Sequence, residues 1–308
     1  MTEIRSLAEM LLRHRKLLAY FLIFWAGVLI FYGIGNNVEY DGQILEGTQY
    51  VAYVLSALAD VGAGILLALL GVKLLKENFL SSMSKEKLLG FFLILWAASF
   101  FFWGISTAID YGEWAAQGYT EDAGSTLSGV IQVVAAIPLA LLGGKLLKTN
   151  FLPSVSKKKL LVIFLVLWAA ALFFWGLSNV MRYSNDALEL TEDPYIDEEG
   201  FTVAITAIGI LYGLADMGAG VVLVLLGTKL WGKDMPLSST KTKLLAVFLL
   251  FWAASFFFAG LYDILDWGPI AGEDAEAALV TIAGLMELAA AAVLAMLGLK
   301  AWGQKEAN

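Results

Sequence analysis

One hairpin pattern is written four times in this chain, at fixed internal spacings. Lys16-Leu17-Leu18, Lys87-Leu88-Leu89, Lys159-Leu160-Leu161 and Lys243-Leu244-Leu245 each open an apolar run. A Trp follows nine residues after each Lys, at Trp25, Trp96, Trp168 and Trp252. A Gly follows eight residues after each Trp, at Gly33, Gly104, Gly176 and Gly260. A second apolar run then ends in Gly-x-Lys, at Gly71/Lys73, Gly143/Lys145, Gly227/Lys229 and Gly298/Lys300. Eleven residues before each closing glycine stands a polar residue: Asp60, Gln132, Asp216 and Glu287. Equal spacing across four copies marks an internal repeat, and it limits the chain to folds in which like units pack side by side.

The unit is a pair of membrane spans. Apolar residues make up 59% of the chain, well above a soluble average. They fall in runs of roughly 20, the length that crosses a hydrocarbon core about 30 Å thick. The spans read as 17–36, 50–72, 88–109, 124–144, 160–181, 201–228, 244–265 and 276–299. The expected fold is an all-α integral membrane protein of eight transmembrane helices, built as four parallel two-helix hairpins. Hairpins one to four occupy 17–78, 79–150, 151–234 and 235–308, and form one membrane domain. Residues 1–16, with Ile4, Leu7 and Leu11 at helical spacing among charges, read as an amphipathic interfacial segment. No secretory signal pattern precedes the first span, so cleavage is not expected.

Charge sets the expected orientation. Every Lys and Arg except Arg182 lies in the N-terminal segment, the three links between hairpins or the C-terminal tail. Short loops rich in Lys and Arg stay cytoplasmic, so both termini are expected inside the cytoplasmic (inner) membrane. The opposite side is acidic, most densely at Glu192-Asp193-Pro194-Tyr195-Ile196-Asp197-Glu198-Glu199. Such a face attracts cations or a basic partner, or is simply solvated. It lacks the spacing and the turn glycine of an EF-hand. Since all hairpins begin and end on one side, they relate by rotation about the membrane normal. A closed ring and an open arc both satisfy the short links.

Two sets of side chains stand out within the spans. Asp60, Gln132, Asp216 and Glu287 share a face of the return helices with small residues four and eight positions on, such as Gly64 and Ala68, or Ala291 and Ala295. Small residues admit close helix contact in lipid, and polar ones bond across it. The return helices are therefore expected to form the interior. At about 1.5 Å per residue Asp60 lies about 20 Å from Lys73 along the helix. An ionisable group at that depth is costly and suggests a function in ion or proton passage, or else helix–helix bonding. The second copy departs from the pattern, with Gln132 in place of an acid and Pro138 within the span. Proline removes a helix hydrogen bond and favours a kink.

The outward helices carry aromatic residues at heptad spacing: Trp25/Tyr32, Trp96/Trp103 and Trp168/Trp175, with Trp252 alone in the fourth copy. These six tryptophans read as a ridge turned towards lipid or a partner helix. The ridge suits a lipid, quinone or carotenoid, although no resident cofactor is required by the sequence. Asn36, Thr107, Asn179 and Asp263, three residues after the repeated Gly, are candidates for an outer polar mouth.

Catalytic chemistry finds little support. The chain has no Cys, and its one His, His14, lies among Arg13, Arg15 and Lys16. Haem ligation, zinc sites and His-based catalysis lack ligands, and no metal site is expected. No nucleophile elbow, phosphate-binding glycine loop, dinucleotide fingerprint or HExxH is present. The sequence thus points away from an enzyme and from nucleic acid. It suggests a scaffold or accessory subunit that meets lipids and other membrane subunits. A small-cation or proton-coupled transporter or channel is the alternative, and a binder of a lipophilic pigment or quinone the third reading.

Overall fold

The computed structural model describes residues 15–40, 48–76, 82–147, 155–190, 199–231, 241–267 and 275–302. Among these, eight helices are long and apolar enough to cross a membrane, with mean hydropathy between 1.6 and 2.6 in their spans. They are α1 (Arg15–Tyr40), α2 (Thr48–Leu75), α3 (Lys85–Ala116), α4 (Thr120–Leu146), α5 (Lys157–Leu190), α6 (Glu199–Trp231), α7 (Lys241–Trp267) and α8 (Ala275–Trp302). The described residues thus have the all-helical architecture of an integral membrane protein. Residues 1–14, including His14 and nearly all of the expected amphipathic segment, lie outside the described residues, as does most of the acidic stretch 192–199.

The helices exceed the spans expected from the apolar runs at both ends. α5 has 34 residues, about 51 Å at 1.5 Å per residue against a core of about 30 Å. Internal hydrogen bonding continues past the apolar stretch, because polar residues at a helix end solvate well without unwinding it. α4 runs unbroken through Pro138. The link from α3 to α4 is the tightest described, with Gly118 at φ +105°, a left-handed conformation that glycine adopts without a Cβ clash.

Each helix packs on its chain neighbours, and α8 packs on α1, so the helices close into a ring. Each odd-numbered helix also sends its Trp to the axis, where Trp25, Trp96, Trp168 and Trp252 meet. The return helices α2, α4, α6 and α8 sit between consecutive odd-numbered helices. They carry much of the exposed aliphatic surface, for example Leu58, Ile137, Leu214 and Leu285.

This arrangement corrects the expected interior. The small faces of the return helices do not meet one another; they lie against the preceding outward helix. A methyl group added to Gly64 would come within 2.9 Å of the Ala26 carbonyl, and one on Gly220 within 2.6 Å of the Ala169 carbonyl. Gly104 and Gly129 cross with similar closeness, as do Gly176 and Gly213. Small residues promote close approach to any helix, and here they are used between consecutive helices. In the closed ring of eight helices, the large rings of the four tryptophans meet at the axis. The Trp ridge consequently faces the axis and not the lipid.

Candidate functional site

The centre of the molecule is an aromatic plug. The four tryptophans form a closed cycle of edge-to-face contacts. Ring centroids are 5.1 Å apart for Trp25–Trp96, 5.6 Å for Trp96–Trp168, 5.4 Å for Trp168–Trp252 and 5.4 Å for Trp252–Trp25. All four interplanar angles lie between 84° and 87°. Edge-to-face geometry places the positive rim of one ring on the negative face of the next, and a cycle satisfies this at every member.

A second tier supports the first. Phe21, Phe92, Phe164 and Phe248 each stack on the Trp one helical turn later in their own helix, at 5.5–5.6 Å. Each also turns its edge or face to the Trp of the preceding odd-numbered helix: Phe92 to Trp25, Phe164 to Trp96, Phe248 to Trp168, and Phe21 to Trp252. These phenylalanines escaped the sequence reading. Their signal was present, a Phe four residues before every repeated Trp.

A cavity of about 510 Å³ adjoins the tryptophans towards the helix ends that lead into the acidic loops. A smaller space of about 320 Å³, bordered by all four tryptophans of the cycle, shares part of its wall. Asp60, Gln132 and Glu287 line the larger space, and Gln132, Asp216 and Glu287 the smaller. The four polar residues therefore border a vestibule made of these two adjoining spaces, with Gln132 and Glu287 on both, although they lie on the outer helices. They reach it through the seams between odd-numbered helices, so the inverted bundle does not separate them.

Hydrogen bonds across these seams hold the polar residues. Ser255 of α7 donates to Asp216 of α6 at 2.6 Å, and Tyr212 also bonds Asp216. Ser99 of α3 bonds Asp60 of α2. Gln132 donates to Ser128 at 3.4 Å, and Ser128 donates to the Ala171 carbonyl of α5 at 2.9 Å. Ser99, Ala171 and Ser255 are the same position of the repeat, three residues after the Trp. A shared register thus takes two carboxylates and one amide to the next outward helix. Asp216 is 2% and Glu287 7% exposed.

The other expected residues divide. Trp103 and Trp175 line the vestibule above the cycle. Asn179 lines it too, while Thr107 is buried where α3 crosses α4 beside Gly129. Thr107 therefore packs between helices instead of marking a mouth. The side chains of Asn36 and Asp263 lie outside the described residues.

Arg182 supplies a cation that the sequence pattern marked only as an exception. It lines the vestibule from α5, forms a 2.7 Å ion pair with Asp122 of α4, and lies 4.8 Å from the Tyr111 ring centroid of α3. Ser125 and Ser178 hydrogen-bond at 2.7 Å in the same α4–α5 seam. Among the described residues, no three His, Cys, Asp or Glu side chains lie close enough together to hold a metal ion.

No protein-family model matches the chain, and neither a curated protein nor a solved structure shows significant similarity to it.

Proposed function

We propose that this protein handles a small cation, admitting it from the acidic side into the vestibule and holding it above the aromatic plug. The observation that carries this reading is that Asp60, Gln132, Asp216 and Glu287 line two adjoining spaces, the smaller of them bordered by the tryptophan cycle, with Gln132 and Glu287 common to both. Acid side chains at membrane depth favour a cation pathway, because an unneeded carboxylate there is costly. The acidic loops raise the local cation concentration at the entrance. The plug closes the lysine-bearing half, so passage requires the rings to part. The reading accordingly covers a gated channel or a transporter.

The same proposal takes the chain as four parallel hairpins with both termini in the cytoplasm, in the inner membrane. Its support is the fourfold spacing and the segregation of Lys and Arg. A cysteine placed at Ser82 of this cysteine-free chain is then labelled only from the cytoplasm, and one at Asn185 only from outside. The accessory-subunit reading rests chiefly on the lack of catalytic motifs and of a soluble domain; with those tryptophans at the axis, it and the pigment reading keep no support from a lipid-facing aromatic ridge.

Reconstitution tests the function. Liposomes under a monovalent-cation or proton gradient should show a flux absent from empty liposomes. The combined substitution Asp60→Asn, Asp216→Asn, Glu287→Gln should reduce it by about tenfold or more, a change of about 1.4 kcal/mol. An equal flux in wild type and variant, or none in either, would overturn the reading.

A further inference from the structure

We infer that the cation is a small organic ammonium, bound between the carboxylates and the aromatic wall of the vestibule. This rests on the cation-handling reading and narrows its substrate class.

Three observations converge. The first is the spread of the acids. They line two adjoining spaces, yet no three of the described acidic side chains cluster tightly enough for a metal ion. A divalent ion needs several oxygens at close range to replace its water, so the spread of the acids favours a cation of diffuse charge. Two of the acids also already accept bonds from Ser99 and Ser255. The second is the wall. The larger space is lined by Trp96, Trp103, Trp175, Tyr32, Tyr212 and Phe100, and the smaller by the four axial tryptophans and Phe256. Aromatic walls with nearby carboxylates suit a weakly hydrated cation, since the ring quadrupole attracts charge while the methyl groups desolvate at little cost. The third is the state of Arg182, which borders this vestibule: its charge is paired with Asp122 and lies over Tyr111, so it does not cancel the carboxylates that would meet a cation.

Size agrees. A space of about 510 Å³ falls in the range of roughly 300–1,000 Å³ typical of small-molecule sites. It exceeds what a dehydrated metal ion fills and leaves room for tetramethylammonium or choline.

The test uses the purified full-length chain in lipid nanodiscs. Tetramethylammonium chloride and choline chloride are titrated by calorimetry and followed by tryptophan emission, against sodium and rubidium chloride at constant ionic strength. Saturable binding of both ammonium ions is expected, at least about tenfold tighter than sodium or rubidium. The uncharged carbon analogue of choline, 3,3-dimethylbutan-1-ol, should bind about tenfold or more weakly than choline, and this comparison needs no variant. Trp175→Leu should weaken tetramethylammonium, with Trp175→Phe retaining most of the affinity. Asp60→Asn with Asp216→Asn should weaken both ammonium ions. If sodium, rubidium or protons bind or cross while ammonium ions do not, the inference fails and the cation-handling reading stands. Equal binding of choline and its carbon analogue, or ammonium binding unchanged by the aspartate substitutions, also overturns the inference. If no cation of either class binds or crosses, both fail.

Discussion

Ser255 of α7 donates a 2.6 Å hydrogen bond to Asp216 of α6, within the wall of the vestibule. Its counterpart across the ring is the Ser99–Asp60 pair between α3 and α2. The other two seams lack the serine: the same register holds Ala171 and Val28, beside Gln132 and Glu287. The fourfold spacing in the sequence thus carries a twofold chemical pattern, with shorter aspartates beside serines alternating with longer side chains.

The anchoring should be pairwise. A double-mutant cycle of Asp216→Asn and Ser255→Ala is expected to give a coupling of about 1 kcal/mol, the usual scale for a buried hydrogen bond, in thermal or denaturant unfolding. Asp216→Asn combined with Ser99→Ala, whose partner is across the ring, should be additive. Coupling of equal size in both cycles would show that the two seams move as one unit.

The tryptophan cycle should dominate stability. Trp168→Ala removes contacts to Trp96, Trp252, Phe164 and Phe248, and about 3–5 kcal/mol is expected for a large ring lost from a packed core. Leu58→Ala, at a side chain 59% exposed, should cost far less, because lipid replaces what is removed. A membrane-dissolved quencher should reach Trp114, 47% exposed, more readily than Trp96, 9% exposed. Comparing single-tryptophan variants checks this, and stronger quenching at Trp96 would place the cycle on the surface.

Close helix crossings should tolerate no side chain. In Gly129→Ala the new methyl would lie 2.7 Å from the Gly104 carbonyl and 2.8 Å from the Ala108 nitrogen. Both are backbone atoms, so the helices must separate, at a cost of about 1–3 kcal/mol or more. Gly112→Ala meets nothing nearer than 3.7 Å and should be neutral or gain up to about 1 kcal/mol of helix propensity. Thermal aggregation midpoints of the two variants in one detergent separate these outcomes.

Arg182 should not be replaceable by lysine. Its planar head both pairs with Asp122 and covers Tyr111, and an ammonium cannot present the same fork and face. Arg182→Lys is expected to lose a substantial part of the stability lost in Arg182→Gln, where about 1–3 kcal/mol is expected from removing a partly buried charged hydrogen bond. Full rescue by lysine would reduce the role of this residue to its charge.

Much of the architecture was legible in the chain because it depends on local rules. Span length follows from membrane thickness, and apolar run length reports it directly. The heptad placement of Trp96 and Trp103 put both rings on one helix face. The same reasoning located Asp60, Gln132, Asp216 and Glu287, since each has the same offset from a closing glycine. It also made Arg182 conspicuous, as the one base among acids.

What only the tertiary structure decided is which face meets which. A stripe of small residues states that a helix approaches another closely and does not name its partner; Gly64 and Gly220 fit Ala26 and Ala169 as well as they would fit another return helix. In lipid, hydropathy gives no inside or outside either, because a tryptophan at the axis and one facing acyl chains are both among apolar groups. The choice came from closure. With α8 packed on α1, the helices close around an axis that four indole rings in mutual contact occupy. That closure is a property of all eight helices together, and no single span carries it. The sequence by itself determined the helices and the positions of the acids along them. Ring geometry determined that the tryptophans form a floor and that the acids reach a common vestibule through the seams above it.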